Sequence, residues 1–157
     1  MVNGPPVGPW RHVLLTTDIS ENAEKALKRF IGPGLGAGAR SSVLNLIDAL
    51  ALRLAMSESM GTEGQQAYLK DLSADARQDL AAFMARVGIG KAEKVVRPEK
   101  TTVANEILKA AGDLKADLIV VGTQGKGAVA RMVLGNVAQQ VLKDAHCDVL
   151  AIPPQSA

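Results

Sequence analysis

Alternation is the feature that most constrains what this chain can fold into. Short apolar runs rich in β-formers take turns with segments whose apolar residues recur every three or four positions. The first run, residues 12–17 (HVLLTT), is followed after Ser20 by Ala23, Ala26, Leu27, Phe30 and Ile31, which share one helical face. A second strand is predicted over 42–47 (SVLNLI) and a helix over 68–87, where Leu69, Leu72, Ala76, Leu80, Phe83 and Val87 step by three or four. A weaker strand follows at 92–97, then a helix over 103–114. Residues 117–121 (DLIVV) form an apolar run of the kind buried on both faces of a parallel sheet. After Gly135 a last helix runs to about Lys143, and residues 148–152 (DVLAI) make a closing strand stopped by Pro153 and Pro154. Residues 48–64 read as irregular with some helix, and 32–38 (GPGLGAG) as a flexible connection.

Strands separated by helices require right-handed crossovers, and so a parallel sheet covered on both sides. The expected fold is α/β: a doubly wound, Rossmann-like sheet of five parallel strands. A length of 157 residues fits one domain over 1–157, with 1–10 as a flexible lead-in.

Composition removes several classes of function. Eighteen Lys and Arg against sixteen Asp and Glu leave +2, too little for a surface that binds nucleic acid. Aromatics at 3% are too few for a base-stacking platform. The single cysteine, Cys147, excludes an internal disulfide and reads as a small buried filler. His12 and His146 lack a metal-ligand spacing and read as structural or surface residues, so no metal site is predicted. Residues 1–10 lack the charged and apolar regions of a signal peptide. Asp48 and Arg53 interrupt the longest apolar stretch, which predicts no membrane span and a cytoplasmic location.

In an open α/β sheet, ligands bind beyond the carboxyl ends of the strands. Thr16, Thr17 and Asp18 stand there after the first strand, Leu46, Ile47 and Asp48 after the second, and Gly122 onward after the fourth. The last patch reads Gly122-Thr-Gln-Gly125-Lys126-Gly127 and reaches Gly135-Asn136 at the start of a helix. Glycines let the backbone approach an anion, and a helix N-terminus attracts one, so the pair can cradle phosphate. Two ordinary strand-to-helix turns are the alternative. Asn136 is a candidate N-cap, with Gln139 three residues on. Lys126 and, less directly, Arg131 could neutralise phosphate charge, and Asp48 could sit near a metal carried by it. Neither the Walker A spacing nor Gly-x-Gly-x-x-Gly occurs in this loop.

Gly122-x-x-Gly125, nine residues and then Gly135 resembles the Gly-x2-Gly-x9-Gly-Ser/Thr signature of universal stress proteins. Asp18-x-Ser20, Ile47-Asp48, ADLIVVGTQG and CDVLAI frame it as they do in that family. Asn136 replaces the signature's Ser/Thr, and Thr101-Thr102-Val103 stands where the family has Gly-x-Pro. The resemblance implies five parallel strands binding ATP, or AMP or ADP, with Mg2+ accompanying the nucleotide. Asp18 and the backbone of Thr16 and Thr17 would face the nucleoside, and Leu46 would meet the adenine edge. Val121 and Gly122 would lie by the ribose, while Gly125, Gly135, Asn136 and Val137 would hold the phosphates. It also implies a homodimer across the last strand, with Val149, Leu150 and Ile152 in the interface. No Ser-His-Asp set, Cys-His set or carboxylate pair stands out, which favours a regulatory or stress-response factor over an enzyme, slow ATP hydrolysis aside. The partner it would regulate is unknown. The alternative is a dimeric interaction module of the same fold that does not use nucleotide.

Overall fold

The computed structural model describes residues 1, 8–48, 61–124 and 134–154. Five strands alternate with helices: β1 (His12–Thr16), α1 (Glu21–Ile31), β2 (Arg40–Ile47), α2 (Thr62–Val87), β3 (Glu93–Pro98), α3 (Val103–Leu114), β4 (Leu118–Gly122), α4 (Asn136–Asp144) and β5 (Asp148–Ile152). All neighbouring strands pair in parallel, in the order β3-β2-β1-β4-β5. The chain winds outward through β2 and β3, then returns across β1 to lay down β4 and β5. The order therefore reverses between β1 and β4, and the crevice for a ligand opens at their carboxyl ends.

Both faces of the central strands are apolar, and their two-residue period divides the core in two. Val13, Leu15, Leu118 and Val120 point to one side, where they meet Phe30 of α1 and Leu80, Phe83 and Val87 of α2. Leu14, Ile119 and Val121 point to the other, against Ala104, Ile107, Ala110 and Ala111 of α3 and Ala138 and Val141 of α4. Large residues fill the first layer, and alanines let α3 and α4 lie close over the second. β3 sits at an edge and buries none of its residues fully, which is why its pattern is weak in the sequence.

Helix α2 begins at Thr62, six residues before the onset of its apolar period at Tyr68, and all its fully buried residues fall in its last eight positions. Much of the segment expected to be irregular, 49–60, lies outside the described residues. No helix among the described residues is long and apolar enough to cross a membrane. The connection from α1 to β2 is a run of turns, and Gly36 shows why glycine is needed there. Its φ is +75°, and a Cβ would come within 3.2 Å of Val13 Cγ2 and 3.3 Å of Phe30 Cζ. At the two ends of the lead-in, Met1 exchanges backbone hydrogen bonds with Val149 (2.6 and 2.9 Å), and Trp10 Nε1 donates to Asp148 Oδ2 (3.0 Å).

His12 is buried, its Nδ1 2.8 Å from the Leu114 carbonyl and its Nε2 2.8 Å from Ser42 Oγ. At the start of α3, Thr102 caps the helix by accepting the Asn105 N–H, and the buried Glu106 carboxylate accepts the hydroxyl and N–H of Thr101 at 2.7 and 3.1 Å. The Thr101 hydroxyl leads in holding the Glu106 carboxyl below its ordinary value of 4.5, against burial, which pushes it up. A carboxyl depressed in the folded state contributes stability above its ordinary value, and loses it as the pH falls through the folded value. Thr101→Val should therefore cost about 1–2 kcal/mol at neutral pH. Thermal melts across a pH series should show that difference shrinking below pH 4.5; a difference that does not change with pH would refute the assignment.

Candidate functional site

β1 ends where its side chains and backbone become committed to neighbours. Thr16 Oγ1 donates to the Val120 carbonyl (3.0 Å), joining β1 to β4, and the Thr17 N–H donates to the Leu44 carbonyl (3.0 Å), extending the pairing to β2. Buried Asn45 donates through Nδ2 to the Thr17 carbonyl (3.1 Å). The chain then turns sharply. Thr17 Oγ1 accepts the Ile19 N–H (2.9 Å), Asp18 Oδ1 accepts both the N–H and the hydroxyl of Ser20, and Ser20 Oγ caps α1 by accepting the Ala23 N–H. Ile19 adopts φ +62° to make this turn. That region costs a β-branched residue about 1–2 kcal/mol, and here it holds an apolar side chain at the cavity wall. Asp18 thus already serves the start of the helix.

Across the switch point, the Thr123 N–H donates to the Ile152 carbonyl (3.0 Å), and the Thr123 carbonyl accepts the Gly135 N–H at 2.8 Å. The two ends of the glycine segment are clasped together there. A Cβ on residue 135 would lie 2.9 Å from the same Thr123 oxygen, closer than real Cβ contacts come. Gly135 itself is the N-cap, so the expected Asn136 cap is corrected: Asn136 is the first helical residue and makes no side-chain cap bond. Gln139 does not complete a capping box either; its Nε2 donates to the Leu134 carbonyl at 2.7 Å. Because the Gly135 N–H is committed to Thr123, the donors left at the helix start are the first-turn N–H groups of Asn136, Val137 and Ala138.

These segments enclose one cavity of about 590 Å³ at the carboxyl ends of the strands. Thr16, Thr17 and Asp18 line it from β1, Leu46 from β2, Val121 and Gly122 from β4, and Gly135, Asn136 and Val137 from the start of α4. Gly125 and Lys126 lie outside the described residues. Ile19, Asn45, Asp79 and Glu99 are among the lining residues that were not anticipated. Glu99 follows β3, and its N–H donates to the Ile47 carbonyl (3.0 Å), so the rule applied to the other strands would have found it. Asp79 projects from a helix with no motif around it, and nothing in the sequence marks it.

Among the described residues lining the cavity there is no Ser, His, Cys or Tyr. No three His, Cys, Asp or Glu among the described residues converge as a metal site. His146 is exposed, and burial, then Asp148 and Asp117, raise the Cys147 thiol above its ordinary range, the opposite of an activated nucleophile. β5 is the other edge strand; Val149 and Ile152 are buried in the chain's own core and Leu150 is half-buried.

The model of the universal stress protein family matches residues 9–153. The chain belongs to the universal stress protein family. Among curated relatives of this universal stress protein, one from Methanocaldococcus jannaschii is 55% identical over 49 residues, a match covering 31% of this chain and 29% of that relative. A putative universal stress protein of Staphylococcus aureus is 26% identical over 149 residues, covering 91% of this chain and 84% of the relative. Among solved structures, a hypothetical protein whose biochemical function was assigned from its structure superposes with a TM-score of 0.74 at 23% identity, covering 96% of this chain and all of that one. A universal stress protein in complex with cAMP gives 0.61 at 20%, covering 94% of this chain and all of that one. At such identities these superpositions speak for the doubly wound fold of this universal stress protein.

Proposed function

We propose that this protein binds an adenine nucleotide, ATP with Mg2+ among them, in the cavity at the sheet's carboxyl edge, and that it acts as a regulatory or stress-response factor. The observation that carries the reading is the convergence on one cavity of nine residues, from the ends of β1, β2 and β4 and the start of α4, to which the family resemblance gives a nucleotide-binding role. The volume lies within the range of small-ligand sites, and neutral backbone donors lie at the start of α4, where a phosphate is favoured. The Leu46 backbone would meet the base, Val121 and Gly122 the ribose, and the N–H groups of Asn136 and Val137 the phosphate. Gly125 and Lys126 would complete the phosphate side. The relative in complex with cAMP supports a nucleotide-sized occupant.

A cytoplasmic homodimer through β5 is part of the same proposal. Since the side chains of Val149 and Ile152 fill the protomer's own core and Met1 takes the outward N–H and carbonyl of Val149, pairing would use Leu150 and, with Met1 displaced, the strand's backbone edge. Titration calorimetry with ATP and Mg2+, and mass spectrometry of small molecules released from freshly purified protein, test the nucleotide. Heat of binding or a released adenine nucleotide is expected; a folded protein that neither carries nor takes up nucleotide at millimolar concentration would favour the interaction module instead.

A further inference from the structure

We propose that Asn45 is a positioning residue, whose side-chain amide keeps the Leu46 peptide groups open for a nucleobase; this rests on the nucleotide reading above. In a parallel ladder, a residue bonds to the residues before and after its partner on the next strand. The β1–β2 register pairs Leu15 with Val43 and Thr16 with Leu44, so continuing it sets Thr17 opposite Asn45. There the Thr17 N–H would donate to the Leu44 carbonyl, and the Thr17 carbonyl would accept the Leu46 N–H. The first bond is made, at 3.0 Å. The second is not: Asn45 Nδ2 donates to the Thr17 carbonyl instead, at 3.1 Å, and β1 ends at Thr16. Only the amide nitrogen can donate to a carbonyl, so this bond fixes the orientation of the Asn45 side chain.

A buried carbonyl without a donor is costly, so Thr17 needs one, and Asn45 supplies it without consuming Leu46. Along β2, Leu44 turns its carbonyl to β1, while Ile47 turns its own to β3, where it accepts the Glu99 N–H at 3.0 Å. Leu46 follows Leu44 in that alternation, so its N–H and carbonyl face the space beyond the end of β1. The chain after Thr17 has already turned away, through the positive φ of Ile19. Leu46 is half-buried and lines the cavity, with Asn45 buried beside it. A donor and an acceptor on one extended residue complement a base edge that carries a ring nitrogen beside an amino group, as adenine does. Hypoxanthine carries a carbonyl oxygen and a protonated ring nitrogen at those places and opposes both. A site that hydrogen-bonds one edge rejects the other strongly.

Amide hydrogen exchange on the unmodified, nucleotide-free protein should find the Leu46 N–H exchanging at least about tenfold faster than the Leu44 N–H, and AMP should slow it. In Asn45→Leu, which keeps the bulk and removes the donor, the Thr17 carbonyl should capture the Leu46 N–H, so that this amide becomes protected without ligand. The same variant should bind AMP about five- to tenfold more weakly and lose most of its preference for AMP over inosine monophosphate, with a melt confirming the fold. A merely structural role would weaken both nucleotides alike and would not protect Leu46. A Leu46 N–H already protected in the nucleotide-free protein, or one unchanged in folded Asn45→Leu, would overturn the positioning role. The first of these measurements needs no variant. Binding of neither nucleotide to the unmodified protein would overturn the nucleotide reading, and the role of Asn45 in base recognition with it, even where Leu46 exchanges as expected.

Discussion

Gly135→Ala is expected to weaken nucleotide binding at least tenfold and to lower stability by about 1–3 kcal/mol, because position 135 does two things that a methyl group prevents. Its N–H donates to the Thr123 carbonyl at 2.8 Å, and the Cβ site lies 2.9 Å from that same oxygen. The obstacle is steric rather than conformational, since φ −64° and ψ 154° are open to alanine. Relief requires Thr123 and the start of α4 to separate. That breaks the clasp at the base of the glycine segment and moves the Asn136 and Val137 N–H groups off the phosphate position, where a displacement of about 1 Å is costly. Alanine is also a poorer N-cap than glycine. Gly122 provides the contrast. A Cβ there would meet only ordinary contacts, 3.7 Å from the Gln124 carbonyl and 3.9 Å from Ala26 Cβ, so Gly122→Ala should melt close to the unmodified protein. Melts and titrations of the two variants side by side decide the point. A Gly135→Ala protein with unchanged melting temperature would refute the clasp, whatever the ligand does.

The parts of the fold that could be read from sequence are those buried on both sides. Leu14, Ile119 and Val120 have no polar neighbour to break the apolar run, so β1 and β4 stand out, and the alternation around them dictates the winding. Thr62 to Ala67, before the period that begins at Tyr68, contains no buried residue, so nothing in the sequence reveals where α2 starts. The site followed the same division. The residues at strand ends were found because topology puts strand ends together. Asn45 was missed because it sits inside a strand, where its side chain holds the Thr17 carbonyl. Ile19 was missed because a positive φ leaves no trace in a β-branched residue. The helix cap was misplaced by one residue because asparagine is the better capping side chain in isolation, whereas Gly135 is required there by the nearby Thr123 carbonyl.

Phe83→Ala should produce the largest loss of stability, about 3–5 kcal/mol, or roughly 6–20 °C in melting temperature for a chain of this size. Phe83 is fully buried in the layer between the sheet and helices α1 and α2, one of two phenylalanines in the chain and both in that layer. Only Leu80, Phe83, Met84 and Val87 of α2 are fully buried, so this ring is a main anchor of a 26-residue helix, and its removal leaves a cavity that the others can fill only by moving α2. The Arg86 guanidinium, 5.7 Å from the ring centroid, loses its partner as well. Asp79 lies one turn before Phe83 on the same helix and lines the cavity, so loosening α2 also loosens one wall of the rim. The variant should therefore lose hydrogen-exchange protection along α2, while the start of α4 keeps its protection. Uniform loss of protection across both helices would mean that α2 and α4 unfold together.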